Sequence, residues 1–378
     1  MRARFRNLIL FFLCLTYFFV RGNGRKDAKN PKKILVAQLA KLGDMVCATP
    51  MFRAVKKQYP QCEVYILGDR VNRELLAGNR DVDGYIVYEK EFWKTRREVK
   101  QEKFDAVLLT GPSPEILALL FLSGIPLVVA PKIENGFSPQ ETRVYKLLLK
   151  FVTAISHRMG FYAAREYLRL LEPVGIVSDG TSKYLNYSED SRKKVAEFLA
   201  AHNLDSAKDF LVGIFPSTGY EIKRWPAERF AEVADYMIEK YNAAVVVPGS
   251  EGDRTQCEEM VAHMRHREKV VSAVGKFSVD ELKALVARMK LFISVDTGPI
   301  YIAEAFGVPT VDIVGPMDDR EQPPIGEKHK VVKVARKEPQ LHVMNTSVFD
   351  YNEAVRQRDG ITVEMVCEVI DTLIGAPN

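Results

Sequence analysis

From Pro31 onward, short β-branched and apolar runs alternate with stretches whose apolar positions recur every three to four residues. This is the pattern of parallel sheets assembled from βαβ units. The runs predict strands at 34–39, 63–67, 85–88, 106–110 and 127–130 in the first half. Between the first two, Met45, Phe52, Val55 and Tyr59 recur at helical spacing and stop before Pro60, with Pro50 inside that helix as a kink or local restriction. Residues 137–171 read as helical, with Arg143, Arg158, Arg165 and Arg169 along them. At 173–187 the periodicity is interrupted by Gly175, Gly180 and several Ser and Thr residues, which reads as an interdomain linker. The alternation then restarts, with helices at 189–201, 227–241, 255–266, 279–288, 300–306 and 363–374. Strands are predicted at 211–215, 243–247, 270–274, 291–295, 310–314 and 330–334.

A chain of 378 residues exceeds one ordinary core. The expected fold class is α/β, as two Rossmann-like domains facing each other across a cleft. The boundaries read as a first domain at 32–175, a second at 188–360, and a C-terminal helix at 361–378. Ligands of such sheets belong at the C-terminal ends of the strands. Apolar and charged fractions of 47% and 27% exclude a disordered chain. Five scattered cysteines with no C-x-x-C pair fit a reducing compartment, and neither a disulfide framework nor a zinc site.

The net charge of +5 changes meaning once divided. Residues 1–32 hold eight Lys or Arg and one acid, a balance of +7, which leaves −2 for the remainder. A nucleic-acid groove is therefore not expected, and the basic surplus belongs to the N-terminal segment 1–31. That segment carries the apolar run Leu8 to Val20 between Arg2, Arg4, Arg6 and Arg21, Arg25, Lys26. As a helix its 13 residues reach about 20 Å, short of the ~30 Å hydrocarbon core. Bulky Phe18, Phe19 and Val20 stand where a signal-peptide cleavage site needs small residues. Two readings stay open, an uncleaved membrane-surface anchor or a start codon placed too early, and the basic flanks favour the first.

Candidate chemistry concentrates at strand ends. Phe292 to Pro316 holds an apolar strand ending at Val295, then Asp296-Thr297-Gly298, with Pro299 as the expected first residue of a helix. Gly298 admits a ligand close to the backbone, and a helix start suits a phosphate. A plain helix cap by Asp296 explains the same residues equally well. A second loop, Phe215-Pro216-Ser217-Thr218-Gly219, offers hydroxyls and N–H groups, and Lys223 four positions later supplies the charge that a diphosphate leaving group needs. Against that stand solvated Lys223 and Arg224 above a structural Trp225. Two such loops in one half favour phosphate binding. A third, Pro248-Gly249-Ser250-Glu251, places a carboxylate where ribose hydroxyls could donate, though an isolated surface glutamate would look the same. In the first half, Leu42-Gly43-Asp44 follows the first strand. Locally Asp44 is best read as a helix cap; the functional alternative is a general base.

Other motifs carry less. Asp81-Val82-Asp83 has the D-x-D form of metal-dependent sugar transferases, but it precedes a strand and reads as a surface turn. The six histidines form no H-E-x-x-H and read as solvated. No G-x-S-x-G supports serine hydrolysis, and the first strand is followed by no G-x-G-x-x-G. No metal and no cofactor is expected.

Three stretches together, Ile34–Pro50, Phe215–Phe230 and Val295–Pro316, resemble glycosyltransferase family 9, the bacterial heptosyltransferases of lipopolysaccharide core assembly. The resemblance spans about residues 32–375. It implies a GT-B fold and inverting, metal-independent transfer from a sugar nucleotide, often ADP-heptose, to a lipopolysaccharide or lipid-linked glycan. The acceptor would lie on the first domain and the donor on the second, at the inner face of the bacterial cytoplasmic membrane. Under it Asp44 matches the base and Lys223 the phosphate-contacting lysine. Thr297 and Gly298 match backbone donors to the diphosphate, with Asp296 ordering their loop. Ser217, Thr218 and Gly219 form the second phosphate loop, Glu251 contacts ribose, and Phe277 covers the adenine. Ala40-Lys41 departs from the two small hydroxyl residues usual before L-G-D, and the 218–223 loop carries an extra residue. Acceptor-binding bases such as Arg96, Arg97 or Arg143 have no motif to anchor them. Another sugar nucleotide with another polymer, or a silent nucleotide-sugar-binding protein, are the alternatives.

Overall fold

The computed structural model describes residues 2–21 and 27–375, with side chains described from Phe5 to Val20 and from Asp27 on. The side chains of Arg2, Arg4, Arg21, Arg25 and Lys26, part of the basic flanks, lie outside the described residues. The chain divides into two compact units, Met1–Lys183 with Val343–Ser347, and Tyr184–His342 with Val348–Asn378.

In the first unit the strands are β1 (Lys33–Ala37), β2 (Glu63–Gly68), β3 (Gly84–Val87), β4 (Ala106–Leu109), β5 (Leu127–Asn135) and β6 (Thr153–Arg158). They form one parallel sheet in the order β3-β2-β1-β4-β5-β6. The second unit repeats the plan with β7 (Leu211–Phe215), β8 (Ala244–Gly249), β9 (Val270–Val274), β10 (Leu291–Val295), β11 (Thr310–Ile313) and β12 (His329–Val332), ordered β12-β11-β10-β7-β8-β9. Every residue of β4, β7, β10 and β11 is buried, as parallel strands covered by helices on both faces must be. In each sheet the chain winds outward one way and then returns to wind the other. The switch lies between β1 and β4 in the first unit, and between β7 and β10 in the second. Ligand crevices of doubly wound sheets open there.

The helices of the first unit are α1 (Arg2–Arg21), α2 (Leu42–Gln58), α3 (Arg70–Leu75), α4 (Phe92–Gln101), α5 (Pro114–Leu122), α6 (Arg143–Leu148) and α7 (Ala163–Arg169). Those of the second are α8 (Glu189–Ala201), α9 (Ala227–Tyr241), α10 (Arg254–His263), α11 (Val279–Val286), α12 (Gly298–Ala305), α13 (Tyr351–Asp359) and α14 (Val363–Ile374). Pro50 sits inside an uninterrupted α2. Its missing N–H would orphan the Val46 carbonyl, and the Thr49 hydroxyl donates to that carbonyl at 2.7 Å instead.

Residues 137–171 are not one helical stretch. They contain the edge strand β6 between α6 and α7. The arginine spacing that looked helical has another cause: Arg158 on β6 and Arg169 on α7 converge on the buried Glu166, at 2.6 and 3.0 Å. An edge strand as half-exposed as Thr153–Arg158 lacks the continuous apolar run that marks the central ones.

The N-terminal helix is longer than its apolar run and belongs to the first unit. Leu10 and Cys14 are buried in the core cluster of that unit, with Phe11, Tyr17 and Phe18 packed against it. Phe18 and Phe11 stack on Phe151 with ring centroids 4.8 and 6.1 Å away, and Tyr17 meets Phe121 edge-on at 5.7 Å. Arg6 pairs with Glu115 at 2.6 Å. Among the described residues no helix is long and apolar enough to cross a membrane.

Candidate active site

In the second unit, the loops after β7 and β10 emerge at the switch point. Lys223, in the β7 loop, is almost buried and donates to the Asp296 carboxylate at 2.8 Å and to the Asp296 carbonyl. Tyr301, one turn into α12, donates its hydroxyl to the other carboxylate oxygen. The Asp296 carboxylate therefore joins both loops to α12, and it caps nothing. Thr297 occupies the N-cap position with extended backbone, and no side chain caps the helix. Gly298 rather than Pro299 is the first helical residue. A helix start uncapped by side chains, beside a lysine, is a place where an anion can be held.

Lys223 and Arg224 are not a solvated pair. Arg224 reaches Glu259 on α10, and Trp225 is buried, its indole N–H donating to the Ile361 carbonyl at 3.0 Å. The Ser217 hydroxyl donates to Asp253 at 2.5 Å, and the Thr218 N–H to Gln256 at 3.3 Å. Asp253 also accepts from the Ser250 N–H at 2.8 Å and hydroxyl at 2.6 Å, stitching the β7 and β8 loops together. Ser217 is thus a buried strut, while Gly219 stands exposed. Glu251 is exposed and engaged by Arg254 at 2.6 and 2.7 Å, and that guanidinium holds its carboxyl below the usual range. Phe277, half-buried, rests edge-on against Phe198 at 5.0 Å.

Behind Asp296 lies an acid that sequence reasoning passed over. Asp312 on β11 is wholly buried beside Ser294, and neither carboxylate oxygen has a hydrogen-bond partner. Burial first, and the charge of Asp296 second, push its carboxyl well above the ordinary range, so it is held neutral. The signal was visible, an acid within a strand expected to be covered on both faces. Asp253 was visible too, as the last position of an S-x-x-D capping box with Ser250. Tyr301 carried no local mark.

In the first unit, α2 begins at Leu42 with Lys41 at the N-cap position. Asp44 is the third helical residue and not the cap, half-buried in the first turn at the end of β1. The turn before it is fastened by neutral amides. Gln38 accepts from the Ala40 N–H at 3.0 Å and approaches the Asp44 carbonyl at 3.5 Å, and the buried Asn72 donates to the Ala40 carbonyl at 3.0 Å. Gln38 and Asn72 were not anticipated. Arg96 donates to the Leu122 carbonyl at 3.0 Å, away from that turn.

Asp81 and Asp83 belong to a turn in which both are engaged: Arg53 pairs with Asp81 at 3.3 Å, Lys56 with Asp83 at 2.6 Å, and Asp83 accepts from the Val64 N–H. Among the described residues Asp318, Glu321 and His342 bring ligand-type atoms within 4.8 Å of one another. Solvation does not explain His342. Hydrogen bonds to Asp318 and then Glu321 raise its pKa to about 9, so it is an imidazolium, and Arg320 already grips Asp318 at 2.7 Å. The cluster reads as an ion network. All five cysteines are free and buried, and burial pushes the thiols of Cys14, Cys257 and Cys367 up to about 12.

Comparison with known proteins bears on the family and the fold. The model of "Glycosyltransferase family 9 (heptosyltransferase)" matches residues 92–350, a span that holds the second and third of the three stretches and leaves out the first. The chain is similar to lipopolysaccharide heptosyltransferase 3 of Escherichia coli K12, 25% identical over 286 residues covering 73% of this chain and 80% of that protein. Among solved structures, a family 9 glycosyl transferase from Veillonella parvula has a TM-score of 0.76 at 25% identity, covering 90% of this chain and 97% of that one. E. coli ADP-heptose lps heptosyltransferase II has a TM-score of 0.71 at 21% identity, covering 90% and 98%, and shares the GT-B fold.

Proposed function

The chain belongs to glycosyltransferase family 9, and on that premise we propose that it moves a heptose from ADP-heptose, or a closely related donor, to a lipopolysaccharide core or related surface glycan. The transfer is a single inverting displacement that needs no metal ion. The observation that carries the reading is the nearly buried Lys223, held by Asp296 beside the uncapped start of α12. An ammonium has three N–H donors, and Asp296 takes two of them, the carbonyl and one carboxylate oxygen. The third is available to a phosphate oxygen. Charge grows on the diphosphate as the glycosidic bond breaks. A fixed cation and helix N–H groups stabilise that charge with little reorganisation.

On this reading Ser217, Thr218 and Gly219 line the second phosphate loop, and Thr297 and Gly298 give backbone donors. Glu251, when Arg254 releases it, meets the ribose, and Phe277 meets the adenine. Asp44 is the proposed base. It takes the proton of the acceptor hydroxyl as that oxygen attacks the anomeric carbon, and the diphosphate leaves with the bonding electrons. Donor supply places the enzyme in the cytosol, at the membrane that carries a lipid-linked acceptor.

The test is to incubate the full chain with a panel of labelled sugar nucleotides, with and without heptose-deficient lipopolysaccharide. Acceptor-dependent ADP release from ADP-heptose is expected. Turnover with a different nucleotide sugar would replace the donor assignment, and donor binding without any turnover would favour the silent alternative.

A further inference from the structure

The N-terminal helix α1 is apolar around most of its circumference, yet only one side of it is used by the fold. Leu10 and Cys14 point into the core of the first unit, flanked by Phe11, Tyr17 and Phe18. On the opposite side, Phe5, Leu8, Ile9, Phe12, Leu13, Thr16, Phe19 and Val20 follow helical spacing along one exposed face. Phe19 is 78% exposed and Val20 87%. Thr16, the one polar residue of the stripe, donates its hydroxyl to the Leu13 carbonyl at 2.9 Å and so brings no unmet donor. The stripe continues onto the start of α4, where the exposed Trp93 lines a shallow pocket with Phe5, Ile9 and Leu13.

We propose that this outward face, extended by Trp93, is an in-plane docking surface that seats the first unit on an anionic lipid bilayer. The inference does not depend on the transfer reaction. It deepens the membrane location by naming the face and the mode of contact. Spanning is a poor alternative: it would strip Phe11 and Phe18 from Phe151, pull Tyr17 off Phe121 and break Arg6–Glu115. Lying flat keeps all of these contacts and buries only the unpartnered side. A tryptophan at the margin of an apolar stripe suits the boundary between acyl chains and headgroups.

Charge selects the occupant. The apolar run is bracketed in sequence by Arg2, Arg4 and Arg6 on one side and Arg21, Arg25 and Lys26 on the other, within the +7 balance of residues 1–32. A second copy of this chain on the same face would set one segment of this positive balance against another. Anionic headgroups meet them with opposite charge.

The test is flotation of the full chain with vesicles of phosphatidylglycerol and phosphatidylethanolamine, beside vesicles of phosphatidylcholine alone. The chain is expected to float with the anionic vesicles and much less with the neutral ones. Phe12→Ser combined with Phe19→Ser should lower partitioning roughly tenfold or more, with Tm and ADP affinity unchanged. Leu10→Ser on the inner side should instead lower Tm. A Phe12→Ser/Phe19→Ser variant that floats like the parent overturns the proposal. So does a parent chain that ignores vesicles and forms a dimer which the double variant abolishes. Equal flotation with both vesicle types overturns the choice of an anionic surface.

Discussion

The two units share one strand order and one switch point, but they furnish it differently. After β7 and β10, charge is assembled in advance: Lys223, Asp296 and Tyr301 form a nearly buried cluster spanning two loops and a helix, with the neutral Asp312 behind it. After β1, a single carboxylate, Asp44, stands on the first turn of α2, and the turn is held by the uncharged Gln38 and Asn72. A diphosphate arrives fully charged, so its site needs fixed cations and dipoles, themselves balanced while the site is empty. A base must exchange a proton during the reaction, and the first turn of α2 presents one half-buried carboxylate that can do so. On the proposed function, identical topology serves two kinds of chemistry through loop content alone.

The largest consequence of that contrast is kinetic. Asp44→Ala should lower turnover by about 10²–10⁴-fold, the usual contribution of a positioned general base, while Tm stays near that of the parent. Measured steady-state rates within a few-fold of the parent would remove Asp44 from the mechanism. Lys223→Met should lower turnover as well and, unlike Asp44→Ala, destabilise the second unit by about 3 kcal/mol, because it strands the Asp296 carboxylate near the interior. Denaturant unfolding of the two variants side by side would show whether the charge cluster, and not the Asp44 turn, carries stability.

Asp312 gives a smaller effect with a sign that pH reveals. Its folded-state carboxyl is raised by burial, with Asp296 adding to the rise. Above the unfolded value near 4 the unfolded chain therefore releases the proton first, and stability is lost as pH rises towards the folded value. Asp312→Asn should be more stable than the parent at pH 7, by about 1–3 kcal/mol, and the gap should close as pH falls to 4. A gap independent of pH would mean the acid is not held neutral. The smallest change belongs to Glu251→Gln. An exposed group already shared with Arg254 should alter the donor KM by no more than about threefold.

The sequence made the central elements legible because burial on both faces writes itself as an uninterrupted apolar run. Strands Leu211–Phe215 and Leu291–Val295 are read to the residue, as are helices Ala227–Tyr241 and Val363–Ile374 from their helical periodicity, and the edge strand Val270–Val274 from its short valine-rich run. The edge strand Thr153–Arg158 is hidden because its half-exposed sequence TAISHR holds no such run, and neighbouring arginines gathered around Glu166 imitate a helical face. At the candidate site, single loops such as Asp296 to Gly298 were visible, while the links between them were not. Lys223 meets Asp296 across 73 positions and Ser217 meets Asp253 across 36, distances over which no local pattern operates. The same limit applies to α1. Its apolar run could be seen, but not its division into a face for the core and a face left outside.

The most direct test of the division of labour is titration of ADP into the full chain and its Asp44→Ala and Lys223→Met variants, by calorimetry at a temperature where all three are folded. The same Kd is expected for the parent and Asp44→Ala, and a Kd weaker by about 10–100-fold for Lys223→Met, the loss of one charge-assisted phosphate contact. Equal weakening in both variants, or none in Lys223→Met, would contradict it.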